Sequence, residues 1–321
     1  PDDKFDTMLF LPEGEDRKDE GGLRTKGYFK FSYKKVDDKW FICDFYGNIM
    51  KEAPEDIQKK IKEYAKSLNK DQNINELPLI TIITVVFNGA KTLEQTIRSV
   101  INQTYPNVEY IIIDGGYTGV TLNIIKNYEN YIDYWVSEKD EGIYDAWNKG
   151  VFSSIGSWIC FIGSDDQLKR EALEHYFIEI IKNDCLDYIS SKVELVDINN
   201  KTIRIVGEKW DWKKFSIYMN VAHPGSLHHR KLFQKYGLFA TEYKIAGDYE
   251  FLLRIGKNLK ANFINDITCI MRATGISSTD FRVFKETYEA KIKNNARTKF
   301  FARLDMVWGI FKFILRRVLW Y

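Results

Sequence analysis

Asp165 and Asp166 stand side by side behind an apolar run, Ile159-Cys160-Phe161-Ile162, and a Gly163-Ser164 step. A buried strand that ends in two carboxylates delivers them into a polar crevice, where they need a partner. Mg2+ or Mn2+ is one such partner, since these ions take one or two carboxylates and complete their shells with water and phosphate oxygens. A turn running into a helix N-cap is the other reading, because Asp is favoured in both places. Two more apolar runs end in polar residues: Asn88 and Gly89 follow the first, and Asp114-Gly115-Gly116 follow the second. Much later, Asp248 opens an apolar helical segment that runs to Arg254, where an acid is ordinarily a cap or first-turn residue.

A frame is needed to bring those strand ends together. From Pro78 onward short apolar runs alternate with helical segments, the mark of a sheet with mostly parallel strands. Strands are expected over residues 79–87, 108–113, 134–137 and 158–162, and helices over 92–103, 121–128 and 143–151. Ligands of open α/β sheets bind at the carboxyl ends of such strands, where the polar residues lie. Ahead of this region, Phe29, Phe31 and Tyr33 alternate with polar residues as in a strand, and a turn at Val36-Asp37-Asp38-Lys39 predicts a hairpin with the run from Trp40 to Tyr46. Ile57, Ile61, Tyr64 and Leu68 recur at helical spacing, and residues 71–76 form a polar linker.

Five ordered blocks carry a likeness to a known family: I-T-V-V-F-N-G at 83–89, T-L-E-Q-T-I-R-S-V-I-N-Q-T-Y at 92–105, Y-I-I-I-D-G-G at 110–116, S-E-K-D-E-G-I-Y-D-A-W-N-K-G at 137–150 and G-S-W-I-C-F-I-G-S-D-D at 156–166. Together they resemble the nucleotide-sugar half of family 2 glycosyltransferases of the GT-A fold, and most closely bacterial enzymes that assemble O-antigen, capsule or exopolysaccharide repeat units. The resemblance implies a Rossmann-like α/β fold with a mixed, mostly parallel sheet between helices. It divides the chain into an accessory segment (1–77), a nucleotide-sugar-binding half (78–166), an acceptor-binding half (167–280) and a basic amphipathic helical segment (281–321).

Carried over residue by residue, the resemblance puts Val85, Phe87 and Asn88 at the first strand end, with Phe87 against the nucleobase and Asp114 accepting from its ring N–H. Asp140, Asn148 and Lys149 would line the wall beside the sugar and diphosphate. Asp166 matches the metal-holding last residue of the family's D-x-D motif, with Ser164 in its first place and Asp165 in the middle. Asp248 is similar in position to the catalytic base, and His223, in Ala222-His223-Pro224-Gly225, is either an acceptor-side or leaving-group contact or a structural loop residue. A base is needed because an attacking hydroxyl must lose its proton, and a single in-line displacement inverts the anomeric centre. The implied substrates are a nucleotide-sugar donor, a UDP-sugar by expectation, and a lipid-linked saccharide acceptor, with Mn2+ or Mg2+ as cofactor. The sequence departs from the family's D-G-G-S-T-D-G-T after the second strand, reading Tyr117 and Gly119 where a small hydroxyl and an acid are usual. Lys139 and Glu141 likewise stand where proline and lysine are common.

Composition narrows the alternatives. In 321 residues, 47 Lys plus Arg nearly cancel 45 Asp plus Glu, so no global basic field marks a non-specific nucleic-acid binder. Four dispersed cysteines and four histidines form no zinc spacing, and a reduced compartment is expected. No charged-then-apolar leader is evident and no run approaches the ~20 apolar residues of a spanning helix. The expectation is therefore a cytoplasmic protein, peripheral on the inner face of the bacterial plasma membrane. Residues 291–321 hold eight Lys or Arg and one acid, Asp305. Phe300, Leu304, Val307, Phe311, Ile314 and Val318 follow a helical stripe, with Asp305, Gly309, Lys312 and Arg316 opposite. With Trp308 and Trp320 this suits a helix lying on an anionic leaflet, or one docked on the protein's own core or a second subunit. A sugar nucleotidyltransferase is the rival enzyme, although Asn88-Gly89-Ala90-Lys91 makes a poor phosphate loop. A non-catalytic scaffold or carbohydrate-binding protein of the same fold is the rival outside enzymes.

Overall fold

The computed structural model describes residues 7–14, 16–44, 46–68, 74–116, 119–273, 275 and 280–319, and over 316–319 the backbone alone. Tyr117 and Trp320, with the side chains of Arg316 and Val318, lie outside the described residues. The chain opens with β1 (Asp19–Gly21), β2 (Ser32–Val36), β3 (Lys39–Cys43), β4 (Ile49–Glu52), α1 (Glu55–Ser67) and β5 (Glu76–Leu77). Then come β6 (Ile80–Val86), α2 (Leu93–Ile101), β7 (Val108–Asp114), α3 (Gly119–Asn127), β8 (Tyr134–Ser137), α4 (Ile143–Ser153) and β9 (Trp158–Gly163). The second half holds β10 (Gln167–Leu168), α5 (Ala172–Lys182), β11 (Tyr188–Val196), β12 (Thr202–Val206), α6 (Trp212–Phe215), β13 (Leu227–His229), α7 (Lys231–Tyr236), α8 (Gly247–Ile255) and β14 (Ala261–Arg272). Helices α9 (Arg282–Lys293) and α10 (Lys299–Leu319) follow.

Among the described residues, ten strands build one mixed sheet in the order β1-β8-β7-β6-β9-β13-β11-β14-β10, with β12 paired to β11. The pairs β6–β7, β6–β9 and β7–β8 are parallel, so their carboxyl ends open on one edge. Successive side chains of these strands enter opposite cores: Ile82, Ile112 and Cys160 on one face, Ile83, Ile111 and Phe161 on the other. Burial on both faces is why these strands read as unbroken apolar runs. The sheet is the α/β architecture expected.

The segment before residue 78 is shared between two sheets. Strands β2 to β5 form a separate four-stranded sheet, whereas β1 pairs antiparallel with β8 at the edge of the main one. Arg24, just beyond β1, is buried in an ion pair with Glu109 and donates to Leu9 O at 3.0 Å, stitching this segment across the sheet.

At the other end, α9 packs on α8 and α10 packs on α9. Lys291 and Arg297 both bond Asp305, at 3.0 and 3.1 Å, which clamps the start of α10 to α9. The inward side of α10 carries Ala302, Asp305, Met306 and Gly309. Its outward side exposes Phe300, Phe301, Leu304, Val307, Trp308, Phe311, Ile314 and Leu315. The apolar stripe read from the sequence thus faces away from the core, and the Asp305–Gly309 side is the one docked.

Candidate active site

Three strand ends converge through glycines that lack the atom a side chain would add. A Cβ on Gly89 would meet Ser164 Oγ at 2.6 Å, and one on Gly115 would meet Asp140 Oδ2 at 2.7 Å and Phe87 Cδ2 at 3.1 Å. Phe87, Asp140 and Ser164 are therefore neighbours at one edge of the sheet, although 77 positions separate the first from the last. Phe87 is 63% exposed at the end of β6, and Asn88 beside it holds a φ of +56°. Val85, by contrast, is buried in the core below. Asp114 is buried at the end of β7, where its Oδ2 accepts from Ser137 Oγ at 2.7 Å. Burial raises its carboxyl above the ordinary range, and does the same to Asp140, which accepts from Gly142 N at 2.9 Å.

The two acids after β9 sit in a tight turn. Asp166 Oδ2 accepts from Gly163 N at 2.9 Å, and its carbonyl accepts from Thr96 Oγ1 at 2.7 Å. Burial, and then the adjacent Asp165, push the Asp166 carboxyl up to about 7. Two carboxyl groups crowded this way gain from a cation beside them. Among the described residues no group of three or more His, Cys, Asp or Glu could enclose a metal by itself. A hard divalent ion there would need ligands from a bound diphosphate and water, which suits Mg2+ or Mn2+.

Asp248 is the second residue of α8, half-buried, and burial raises its carboxyl to about 6. Its Oδ1 accepts from Tyr249 N at 2.8 Å and from Tyr144 Oη at 3.1 Å. Tyr144 begins the helix that follows Asp140, so this bond ties the acid of the second half to the strand-end loop of the first. Lys244 makes a second tie, donating to Glu141 O at 2.8 Å. Close contacts thus link Phe87, Asp140 and Ser164 at the strand ends, and the buried Tyr144 carries the connection on to Asp248.

Two residues expected beside the sugar and diphosphate have other partners. The Asn148 amide is held by the Phe239 backbone, donating to its carbonyl at 2.9 Å and accepting from its N–H at 3.0 Å. Lys149 Nζ bonds Glu138 Oε1 and Lys139 O, both at 2.8 Å. Burial disfavours the Glu138 carboxylate, but Lys149 and Arg17 outweigh that and hold it low. These bonds brace the loop between β8 and α4. His223 is buried, stacked on Trp147 at 4.8 Å between ring centroids, and neither of its ring nitrogens has a hydrogen-bond partner among the described residues. Burial lowers its imidazole to about 3, so it is neutral.

Sequence reasoning passed over Tyr144, Lys244 and Glu286. Tyr144 lies inside a quoted block, where its place one turn past Asp140 was a usable signal. Glu286 gave none, standing mid-helix among charged neighbours. In the fold its Oε2 accepts from the N–H groups of Lys244, Ile245 and Ala246, at 3.1, 2.8 and 2.9 Å, and so fixes the chain entering α8. Glu286→Ala is expected to destabilise the protein by about 1.5–3 kcal/mol, the range for charged hydrogen bonds. Glu286→Gln, which keeps an acceptor, should lose less; urea unfolding of the two variants reads the difference.

Comparison with known proteins gives the same picture from outside. Residues 81–238 match the family described as Glycosyl transferase family 2. A PGL/p-HBAD biosynthesis glycosyltransferase of Mycobacterium bovis is 28% identical over 187 residues, 56% of this chain and 71% of that protein. An uncharacterized glycosyltransferase of Rickettsia typhi is 28% identical over 223 residues, 66% of this chain and 70% of its own. Among solved structures, S. aureus TarS 1–349 in complex with UDP-GlcNAc aligns with a TM-score of 0.54 at 16% identity, over 71% of this chain and 70% of that one. The match to a longer TarS chain spans 39% of its length. The mannosyltransferase PcManGT from Pyrobaculum calidifontis, in complex with GDP-Man and Mn2+, aligns with a TM-score of 0.54 at 16% identity over 75% and 71% of the two chains.

Proposed function

The chain belongs to glycosyltransferase family 2 through residues 81–238, and from that premise we propose that it moves a sugar from a nucleotide-diphosphate donor to a lipid-linked saccharide with inversion at the anomeric carbon. The observation that carries this reading is the set of contacts that links Ser164, Phe87 and Asp140 and continues through Tyr144 to Asp248. It supplies a ring for a base, acids for a cation and a carboxylate for a proton.

In this reading the nucleobase lies on the exposed ring of Phe87, and Asp114 accepts from its ring N–H. UDP is the expected nucleotide; the solved neighbours hold UDP-GlcNAc in one case and GDP-Man with Mn2+ in another. Asp166, with Ser164 and Asp165, would hold Mn2+ or Mg2+, which when bound neutralises charge on the departing diphosphate. Asp140 borders the sugar. Asp248 takes the proton of the acceptor hydroxyl as it attacks; Tyr144 and Tyr249 N both bond its Oδ1, and Oδ2 receives that proton. Asn148 and Lys149 contribute by holding the loop beside Asp140, and His223 by filling the floor between Trp147 and Phe161. The test is a screen of nucleotide sugars for Mn2+-dependent thermal stabilisation, followed by release of the nucleoside diphosphate with an extracted glycolipid acceptor. A panel that neither stabilises the protein nor yields diphosphate would dismiss the proposal.

The outward stripe on α10 supports peripheral attachment to the inner face of the bacterial plasma membrane. No described helix is long and apolar enough to cross a bilayer. Exposed Lys299, Arg303 and Lys312 accompany the apolar residues, as in helices that lie on anionic lipid. Replacing the three by Gln is expected to weaken binding to phosphatidylglycerol-containing vesicles roughly a hundredfold, at about 1 kcal/mol per cation. Co-sedimentation at low and high salt measures it, and equal binding by both proteins would refute the electrostatic part.

A further inference from the structure

A cavity of about 360 Å³ lies between the start of α8 and the helices α9 and α10. Asp248 is on its wall, beside Ile245, Met219, Val283, Phe284 and Met306. The Tyr218 and Tyr288 rings also border it, and two of its polar groups are engaged elsewhere. Thr287 Oγ1 donates to Val283 O at 2.6 Å, and Lys291 Nζ bonds Ile217 O at 2.5 Å and Asp305 at 3.0 Å. The chamber is of a size and character that take a small organic ligand.

We propose that this cavity receives the hydrocarbon of the acceptor, so that the acceptor is a short glycolipid whose apolar part begins within one sugar of the reacting hydroxyl. The inference rests on Asp248 as the base and says what must lie next to it. Whatever brings a hydroxyl to that carboxylate puts its adjoining atoms against these walls. Further sugar hydroxyls among Ile217, Ile245, Val283, Phe284 and Met306 would lose water for few partners, which is unfavourable, whereas hydrocarbon gains about 25 cal/mol for each Å² it buries. Helix α10 forms one wall with Ala302, Met306 and Gly309 and bears the exposed apolar stripe on its opposite side. One helix thus separates the chamber from the surface suited to lipid.

The probe is an n-octyl β-D-glucoside carrying a diazirine on its alkyl chain, used below its micelle concentration on the full chain with UDP and Mn2+. Photolysis and peptide mapping should place the label on residues 283–291 and 302–309, competed by unlabelled octyl glucoside and not by free glucose. Met306→Trp, which fills the chamber, should cut that labelling by about tenfold or more, the effect of losing a couple of buried methylenes, while UDP binding stays as in the wild type. Label confined to the outer stripe of α10, label competed equally by glucose, or no label in the wild-type protein would each overturn the proposal. Asp248→Asn separates the two readings: cavity labelling should persist in it. Persistent labelling with undiminished sugar transfer would remove the base and with it this inference, whereas lost transfer without cavity labelling in the wild type removes the inference alone.

Discussion

Asp248→Asn is expected to lower sugar transfer by about 10²–10⁴-fold, the usual worth of a positioned general base, while leaving UDP binding in the presence of Mn2+ unchanged. The same substitution should make the protein more stable. The Asp248 carboxyl is raised from an ordinary 3.8 to about 6 by burial, so the native state retains a proton that the unfolded chain has released between those values. Stability from this group therefore falls as pH rises from about 4 to about 6, and above that the penalty stands in full, on the order of 2–3 kcal/mol. Asn carries no charge and escapes it. Thermal unfolding at about pH 8 should show Asp248→Asn melting above the wild type, and at about pH 4 the gap should close. Wild-type turnover should rise as pH passes about 6 and the base loses its proton. A variant that keeps transfer would reject the assignment.

Asp166→Asn is expected to abolish the stabilisation that UDP and Mn2+ together give. A ligand at a hundred times its dissociation constant adds about 2.7 kcal/mol to a folded protein, and the variant should show little of it. Asn still offers an oxygen to Gly163 N, so the turn after β9 is retained and the loss reports the missing carboxylate. Turnover should fall by about three orders of magnitude, since charge neutralisation on a leaving diphosphate is worth several kcal/mol. Mn2+-dependent shifts in melting temperature, read with UDP and without it, check the first part; transfer kinetics check the second.

The central sheet was legible because its parallel strands are buried on both faces and read as continuous apolar runs. The expected strand at 134–137 is β8 itself, 79–87 overruns β6 by a residue at each end, and 158–162 stops one residue short of β9. Edge elements were not legible. β1 is Asp-Glu-Gly, which has no pattern of its own and is a strand only because β8 offers it a register. β13 carries two histidines and still lies between β9 and β11, since the surrounding aromatics take up the rings.

The places of the strand-end acids were legible because each directly follows a buried apolar run. Side-chain partners were not. No residue type announces that Lys149 bonds Glu138 and the Lys139 carbonyl, or that the Phe239 backbone holds Asn148. Glu286 acts 38 positions after Asp248, through three backbone N–H groups that no residue type announces. The helical stripe on α10 was readable by period, but which side would dock depended on Lys291 and Arg297 reaching Asp305.

A crystal structure of the chain with UDP and Mn2+ tests the central claim most directly. The account predicts uracil between Phe87 and Asp114, the metal bound by Asp166 and the diphosphate, and Asp248 open to the space just beyond the second phosphate. Nucleotide bound on another face of the sheet, or Asp248 walled off from the diphosphate by ordered protein, would contradict it.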